Sequence, residues 1–235
     1  DPACCSLAVA ALGDDTHENV PLLLKNRDRA GRFRTWFVPH PGTHGLRWRR
    51  AMRAERTAAT RDLREALWET TEAEMGDVDV VVNANVCRYL GPSAPADAAE
   101  WVATTLRDGP EVGSDKWHRN PTTFYASVAD GAERGVAAFA AIEGVVVDRI
   151  TERWRSGSLI TPLDQAQSLL ALQAFSATTP TRAALARALA ESQADDGSWA
   201  RSIFYYGGPR EVFGWASEAL ATAYAASALG AEGRC

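Results

Sequence analysis

Gln193-Ala-Asp-Asp-Gly-Ser-Trp199 is the stretch on which the fold reading turns. It follows an Ala/Leu-rich run and precedes Phe213-Gly-Trp-Ala-Ser-Glu-Ala-Leu-Ala-Thr-Ala-Tyr224. Asp-Gly is a strong turn former, because Gly takes the left-handed conformation at little cost. A turn set between two small-residue helices and flanked by Gln and Trp reads as one unit of a helical repeat. A second, eroded copy is Arg27-Asp-Arg-Ala-Gly-Arg-Phe33. Gly31 aligns with Gly197 and Phe33 with Trp199, while Arg27 replaces the Gln.

Working outward, an acid recurs at the head of a helical run that closes on a small residue. Asp1 precedes Gly13, Asp79 precedes Gly91, Asp164 precedes Ser176 and Glu218 precedes Gly230, each by twelve positions. An acid at a helix N-terminus meets free N–H groups and the helix dipole, and Gly caps a C-terminus. The interiors are rich in Ala, Val and Leu, which lets neighbouring helices approach closely. A more polar second helix is predicted after three of these runs, over residues 21–26, 96–107 and 181–192. Pro95 and Pro180 stand where a helix begins. Val145-Val-Val147 is read as part of a buried helix, and no convincing strand alternation is found. Residues 50–74 read as a charged helix.

Paired helices joined by Gln/Asp-Gly/Trp turns resemble the repeat of the class II terpene cyclases, the squalene–hopene cyclases and the protein prenyltransferase β subunits. The resemblance is carried by residues 162–230, then by 1–37 and 77–107. It implies an all-α fold, an (α/α) helical-hairpin toroid or barrel, here incomplete relative to six hairpins. Residues 1–235 form one such domain in this reading. In that family the Gln and Trp of each turn tie successive hairpins together.

The resemblance also implies a chemistry: acid-initiated cyclisation of a polyprenyl or polyene-type substrate in a central aromatic cavity. The chain lacks the family's Asp-x-Asp-Asp. Its nearest equivalent is Asp77-Val-Asp79 at the mouth of an inner-type helix. Asp79, aided by Asp77, is the expected acid. Trp117, Tyr125 and Tyr205 are the expected cavity aromatics, drawn from 8 Trp, 5 Tyr and 7 Phe, since aromatic faces stabilise carbocations. Asn83 is expected at the substrate, because two amides, Asn83 and Asn85, in an apolar helix call for a polar cavity or a helix junction. An acid-initiated mechanism needs neither metal nor other cofactor. Asp14-Asp-Thr-His-Glu18 matches a magnesium-binding pattern but follows Gly13 and reads as a polar loop. Two alternatives stand beside this reading. One is a non-catalytic member of the fold that binds a hydrophobic ligand or a protein. The other is a cyclase of a non-terpene natural-product intermediate.

Composition sets the outer bounds. The chain has 235 residues, 46% hydrophobic and 23% charged, enough for a sizeable core. A net charge of -5 does not fit a general nucleic-acid binder. No apolar run reaches membrane-spanning length. Cys4, Cys5, Cys87 and Cys235 show no metal-binding spacing and are read as reduced thiols of a cytoplasmic protein. Residues 25–64 carry twelve basic side chains against three acidic ones. That stretch is read as a solvated face, with an anion site (for a prenyl diphosphate, for example) or a docking face for an acidic partner, such as a partner domain or subunit, as the sharper options.

Overall fold

A computed structural model describes residues 2–36, 66, 69–74, 76–109, 115–208, 210–211 and 213–232. The chain is mostly helical. The helices in chain order are α1 (Pro2–Ala11), α2 (Val20–Lys25), α3 (Val80–Leu90), α4 (Ala96–Asp108), α5 (Pro121–Glu133), α6 (Ala137–Ala140), α7 (Glu143–Arg155), α8 (Pro162–Ala174), α9 (Pro180–Glu191) and α10 (Glu218–Glu232). The predicted helices over 21–26, 96–107 and 181–192 are α2, α4 and α9, and Val145–Val147 lies inside α7. Asp1, most of the basic stretch, the greater part of the predicted helix over 50–74 and Cys235 fall outside the described residues.

Local chemistry sets the helix ends. Asp79 caps α3, its Oδ1 accepting from the N–H groups of Val81 (2.9 Å) and Val82 (3.0 Å). At α8 the cap is Thr161, and Asp164 completes a capping box by accepting from the Thr161 N–H at 3.0 Å. At α10 the cap is Ser217, which accepts from Leu220 N–H at 3.1 Å, and Glu218 is a first-turn acid. The recurrent acids therefore share a position but not one hydrogen-bonding role. Gly13, Gly91 and Ser176 close their helices with positive φ, whereas Gly230 is passed over and α10 runs on to Glu232.

Packing follows chain order. One layer is built from α1, α3, α5, α8 and α10, each packed against the next. A second layer lies outside it: α4 covers α3, α6 and α7 cover α5, and α9 covers α8. Small residues make the close approach workable, with Ala84, Ala129, Ala166, Ala171, Ala225 and Ala228 buried. The main core fills the space between layers around Tyr125, Phe139, Leu106 and Ile150.

The two turns share one geometry. Asp28 N–H donates to Arg32 O (2.8 Å) and Gly31 N–H to Asp28 O (3.2 Å). In register with these, Ala194 N–H donates to Ser198 O and Gly197 N–H to Ala194 O, both at 2.9 Å. Gly31 and Gly197 have φ of 84° and 85°. At Gly31 a Cβ would also run into the Asp97 carboxylate. The following aromatic is buried in both copies. Trp199 Nε1 donates to Leu189 O at 2.8 Å, so the indole ties down the end of α9. Gln193 does a different job from the one expected of it: its Nε2 donates to Gly197 O at 2.9 Å and braces its own turn.

One element departs from the all-helical expectation. Ser202–Tyr206 (β1) and Gly214–Ser217 (β2) pair antiparallel, with an irregularity between Ile203 and Tyr205. The signal is present in the sequence, since Ser-Ile-Phe-Tyr-Tyr before Gly-Gly-Pro is β-branched and aromatic and ends in turn formers. No helix among the described residues is long and apolar enough to cross a membrane. Cys5 and Cys87 are free thiols, with Cys87 buried.

Candidate functional site

Three segments converge at the mouth of α3: Asp77–Asp79, the loop 115–120, and β1. The loop is shaped by Asp115, whose Oδ1 accepts from the N–H groups of Trp117 (2.5 Å) and His118 (2.6 Å). Lys116 docks the loop. Its Nζ donates to Asp77 Oδ1 at 2.6 Å and to Glu72 O at 3.0 Å, and its N–H reaches Asp79 Oδ2 at 3.3 Å. Tyr206 N–H then donates to Trp117 O at 2.8 Å, which fixes β1 against the loop.

The result is a cluster of buried Asp79 and Asp115 with half-buried His118, whose candidate ligand atoms all lie within 4.8 Å of one another. His118 Nδ1 stands 3.4 Å from Asp115 Oδ2. Burial, and then the neighbouring charge of Asp115, push the Asp79 carboxyl up to about 8. Burial alone would lower His118, but its contact with Asp115 and the charges of Asp115 and Asp79 outweigh burial and raise it. Tyr205 is pushed up to about 12 by burial and by the same two carboxylates. The donor set of two carboxylates and an imidazole would also suit a divalent ion such as zinc.

Beside this cluster lies an aromatic cavity of about 380 Å³ with Phe33, Trp36, Trp117, His118, Phe204 and Tyr205 in its wall. Trp117 stacks on Tyr205 with centroids 5.7 Å apart and planes 7° apart. Trp36 meets Trp117 edge-on at 5.4 Å, and His118 meets Tyr205 edge-on at 5.6 Å. Asp79 and Asp115 line a smaller cleft of about 120 Å³, which shares Thr35 and Trp117 with the aromatic cavity. Of the three clustered groups, His118 is the one in the wall of the larger space.

The expected site residues divide accordingly. Trp117 and Tyr205 line the aromatic cavity, and Asp79 stands immediately behind it. Asp77 is occupied elsewhere. Besides Lys116, it accepts from Glu74 N–H at 2.9 Å and Trp36 Nε1 at 3.3 Å, and Asp115 is the carboxyl that interacts with Asp79. Tyr125 is fully buried in the core, with its hydroxyl accepting from Arg153 Nε at 3.2 Å. Asn83 bonds to the backbone of Phe33. Asn85, two positions on, lines a second and more polar cavity.

Asp115 and His118 were missed in the sequence. The available signal was the Asp-Lys-Trp-His spacing, in which an Asp side chain caps the N–H groups two and three residues ahead. The segment 14–18 forms a loop and one 3₁₀ turn, with Asp15 Oδ1 accepting from His17 N–H at 2.9 Å. Comparison of the chain with family models, curated proteins and solved structures finds no match.

Proposed function

We propose that the chain is a terpene cyclase-like enzyme on an (α/α) toroid, incomplete relative to six hairpins. In this reading it starts isomerisation or cyclisation of a hydrophobic substrate by proton transfer inside the aromatic cavity. The fold part is supported by the chain-order packing of α1, α3, α5, α8 and α10 under an outer layer, and by the repeated turn. The chemical part is carried by one observation, the Asp79–Asp115–His118 cluster at the wall of the aromatic cavity.

His118 delivers the proton, because it alone of the three borders that cavity. Asp115 holds the imidazole, and Asp79 is the buried reserve behind it. Burial pushes Asp79 up to about 8 and Asp115 raises His118, so the cluster as a whole holds a proton near neutral pH, where a donor of matched pKa works best. Such donors are weaker acids than an ordinary carboxyl. They do not suit an isolated alkene, and the substrate's initiating group must be more basic, such as an epoxide, an enol ether or a carbonyl. That places the activity nearer the non-terpene cyclases than the squalene type. The facing indoles and phenols then shelter the cation that forms.

The test is incubation with a panel of prenyl diphosphates, polyenes, epoxides and enol ethers, with mass spectrometry of the products. His118→Gln is expected to lower any turnover by about 10²–10⁴-fold, the ordinary contribution of a positioned acid. Turnover unchanged in both His118→Gln and Asp79→Asn would refute proton delivery by this cluster. Ligand binding without any turnover would leave a binding protein on the same fold.

A further inference from the structure

The aromatic cavity has a polar neighbour. A space of about 560 Å³ lies along the inner layer, with Cys4 of α1, Asn85 of α3, Ser127 of α5, Gln167 of α8 and Tyr224 of α10 in its wall. Every helix of the inner layer thus contributes to it. His118 and Phe204 belong to the walls of both spaces. A hydrocarbon gains nothing from a polar lumen, since it can neither donate nor accept a hydrogen bond there.

Among the described residues, the one arginine in the wall of this lumen, Arg88, faces two acids, Asp130 and Glu133. Arg88 Nε is held by Asp130 Oδ2 at 3.0 Å, and Asp130 Oδ1 accepts from Arg134 Nε at 2.8 Å. Glu133 adds a further acid to the lining. A diphosphate would have to sit beside Asp130 and Glu133 with Arg88 already engaged. The neutral groups offer a different kind of recognition: Ser127 Oγ donates to Asn85 Oδ1 at 2.9 Å at the cavity wall, and Gln167 Oε1 accepts from Thr122 and Thr123.

We infer that the ligand is an amphiphile whose apolar chain fills the aromatic cavity and whose uncharged, hydrogen-bonding head, a hydroxyl or an amide, enters the polar lumen past His118. This rests on the proposed proton transfer for its catalytic meaning but not for its binding. It places the reacting atom where chain meets head, at the one imidazole common to both walls.

The probes are farnesol, farnesyl diphosphate and the headless hydrocarbon farnesene, titrated against the intact chain by calorimetry and by the fluorescence of Trp36 and Trp117. Farnesol is expected to bind at least about tenfold more tightly than either of the others, the discrimination a site built for a polar group gives readily. Asn85→Leu is expected to bring farnesol down to farnesene and leave farnesene unchanged. Ser127→Ala, a milder change, moves farnesol the same way by a smaller factor. Farnesyl diphosphate binding more tightly than farnesol overturns the inference. So does equal binding of farnesol and farnesene, or a farnesol affinity indifferent to both variants. Turnover of His118→Gln separates this from the catalytic reading, since the farnesol preference is read on the parent chain. Loss of turnover without any farnesol preference refutes the inference alone. A farnesol preference with turnover intact in His118→Gln refutes the catalytic reading alone.

Discussion

Asn83 holds Phe33 from both sides of its backbone: Oδ1 accepts from the Phe33 N–H at 2.7 Å, and Nδ2 donates to the Phe33 carbonyl at 2.8 Å. The second copy of the turn repeats half of this grip. Trp199 N–H donates to Thr222 Oγ1 at 3.0 Å. Asn83 lies four residues after Asp79, and Thr222 four residues after Glu218. In both copies the aromatic of the turn is fixed by the same position of the next inner helix. An amide makes two bonds where the hydroxyl makes one, so Asn83→Leu should cost more than Thr222→Val. Buried groups left without partners cost about 1–3 kcal/mol each, which gives about 2–6 kcal/mol for Asn83→Leu and about 1–3 kcal/mol for Thr222→Val. Urea denaturation of both variants checks the ranking, and equal losses would refute the shared-staple account.

Trp199 carries the packing side of the same device. It sits in a cluster with Ala166, Leu169, Leu189, Ala225 and Ala228, between α8, α9 and α10. Truncating a buried indole of this size costs about 3–5 kcal/mol, so Trp199→Ala should unfold the region or lower its melting temperature sharply. Trp199→Phe keeps most of the packing but loses the bond to Leu189 O, and should cost about 1–2 kcal/mol. Thermal unfolding followed by circular dichroism separates the two. Gln193→Ala should fall within about 0.5–1.5 kcal/mol, the ordinary range for one hydrogen bond, because Gln193 is exposed and braces only its own turn.

The helical layers were legible because their signals are local. Gly at 31, 91 and 197, Pro at 95 and 180, and runs of Ala each act over a few residues. The hairpin of β1 and β2 was passed over because its strands are short and lie within a helical repeat. The site was legible in part. Asp79 and the aromatics Trp117 and Tyr205 carry chemistry on their own, whereas Asp115 and His118 gain it by being folded back on Asp79 from 36 and 39 positions away. Tyr125 and Asn83 show the converse limit, since composition cannot tell a cavity wall from a well-satisfied core position.

Protonation of the cluster should appear in stability as a function of pH. The ordinary carboxyl value for Asp79 is 3.8 and its folded value is about 8, while His118 is raised above 6.5. Both groups hold protons more tightly folded than unfolded. Where the native state binds more protons, stability falls as pH rises. The Asp79 contribution is fully present below its unfolded value and is lost between about pH 4 and 8, and that of His118 is lost as pH rises above 6.5. Asp79→Asn cannot ionise, and its stability should vary less across that window than the parent's. Chemical denaturation at a series of pH values measures it, and parallel curves for parent and variant would show that Asp79 ionises normally.

Proton and metal compete for the same three side chains. A divalent ion needs Asp79 ionised and His118 neutral, whereas proton transfer needs a proton held in the cluster. Zinc should therefore bind Asp79, Asp115 and His118 more tightly as pH rises, and it should inhibit whichever panel member the protein turns over. Protein treated with a chelator should keep full turnover. Calorimetric titration with zinc at several pH values, beside initial rates with and without chelator, tests both halves. Activity lost on chelation and restored by zinc would reverse the assignment, making the cluster a metal centre that polarises the substrate directly in place of the imidazolium.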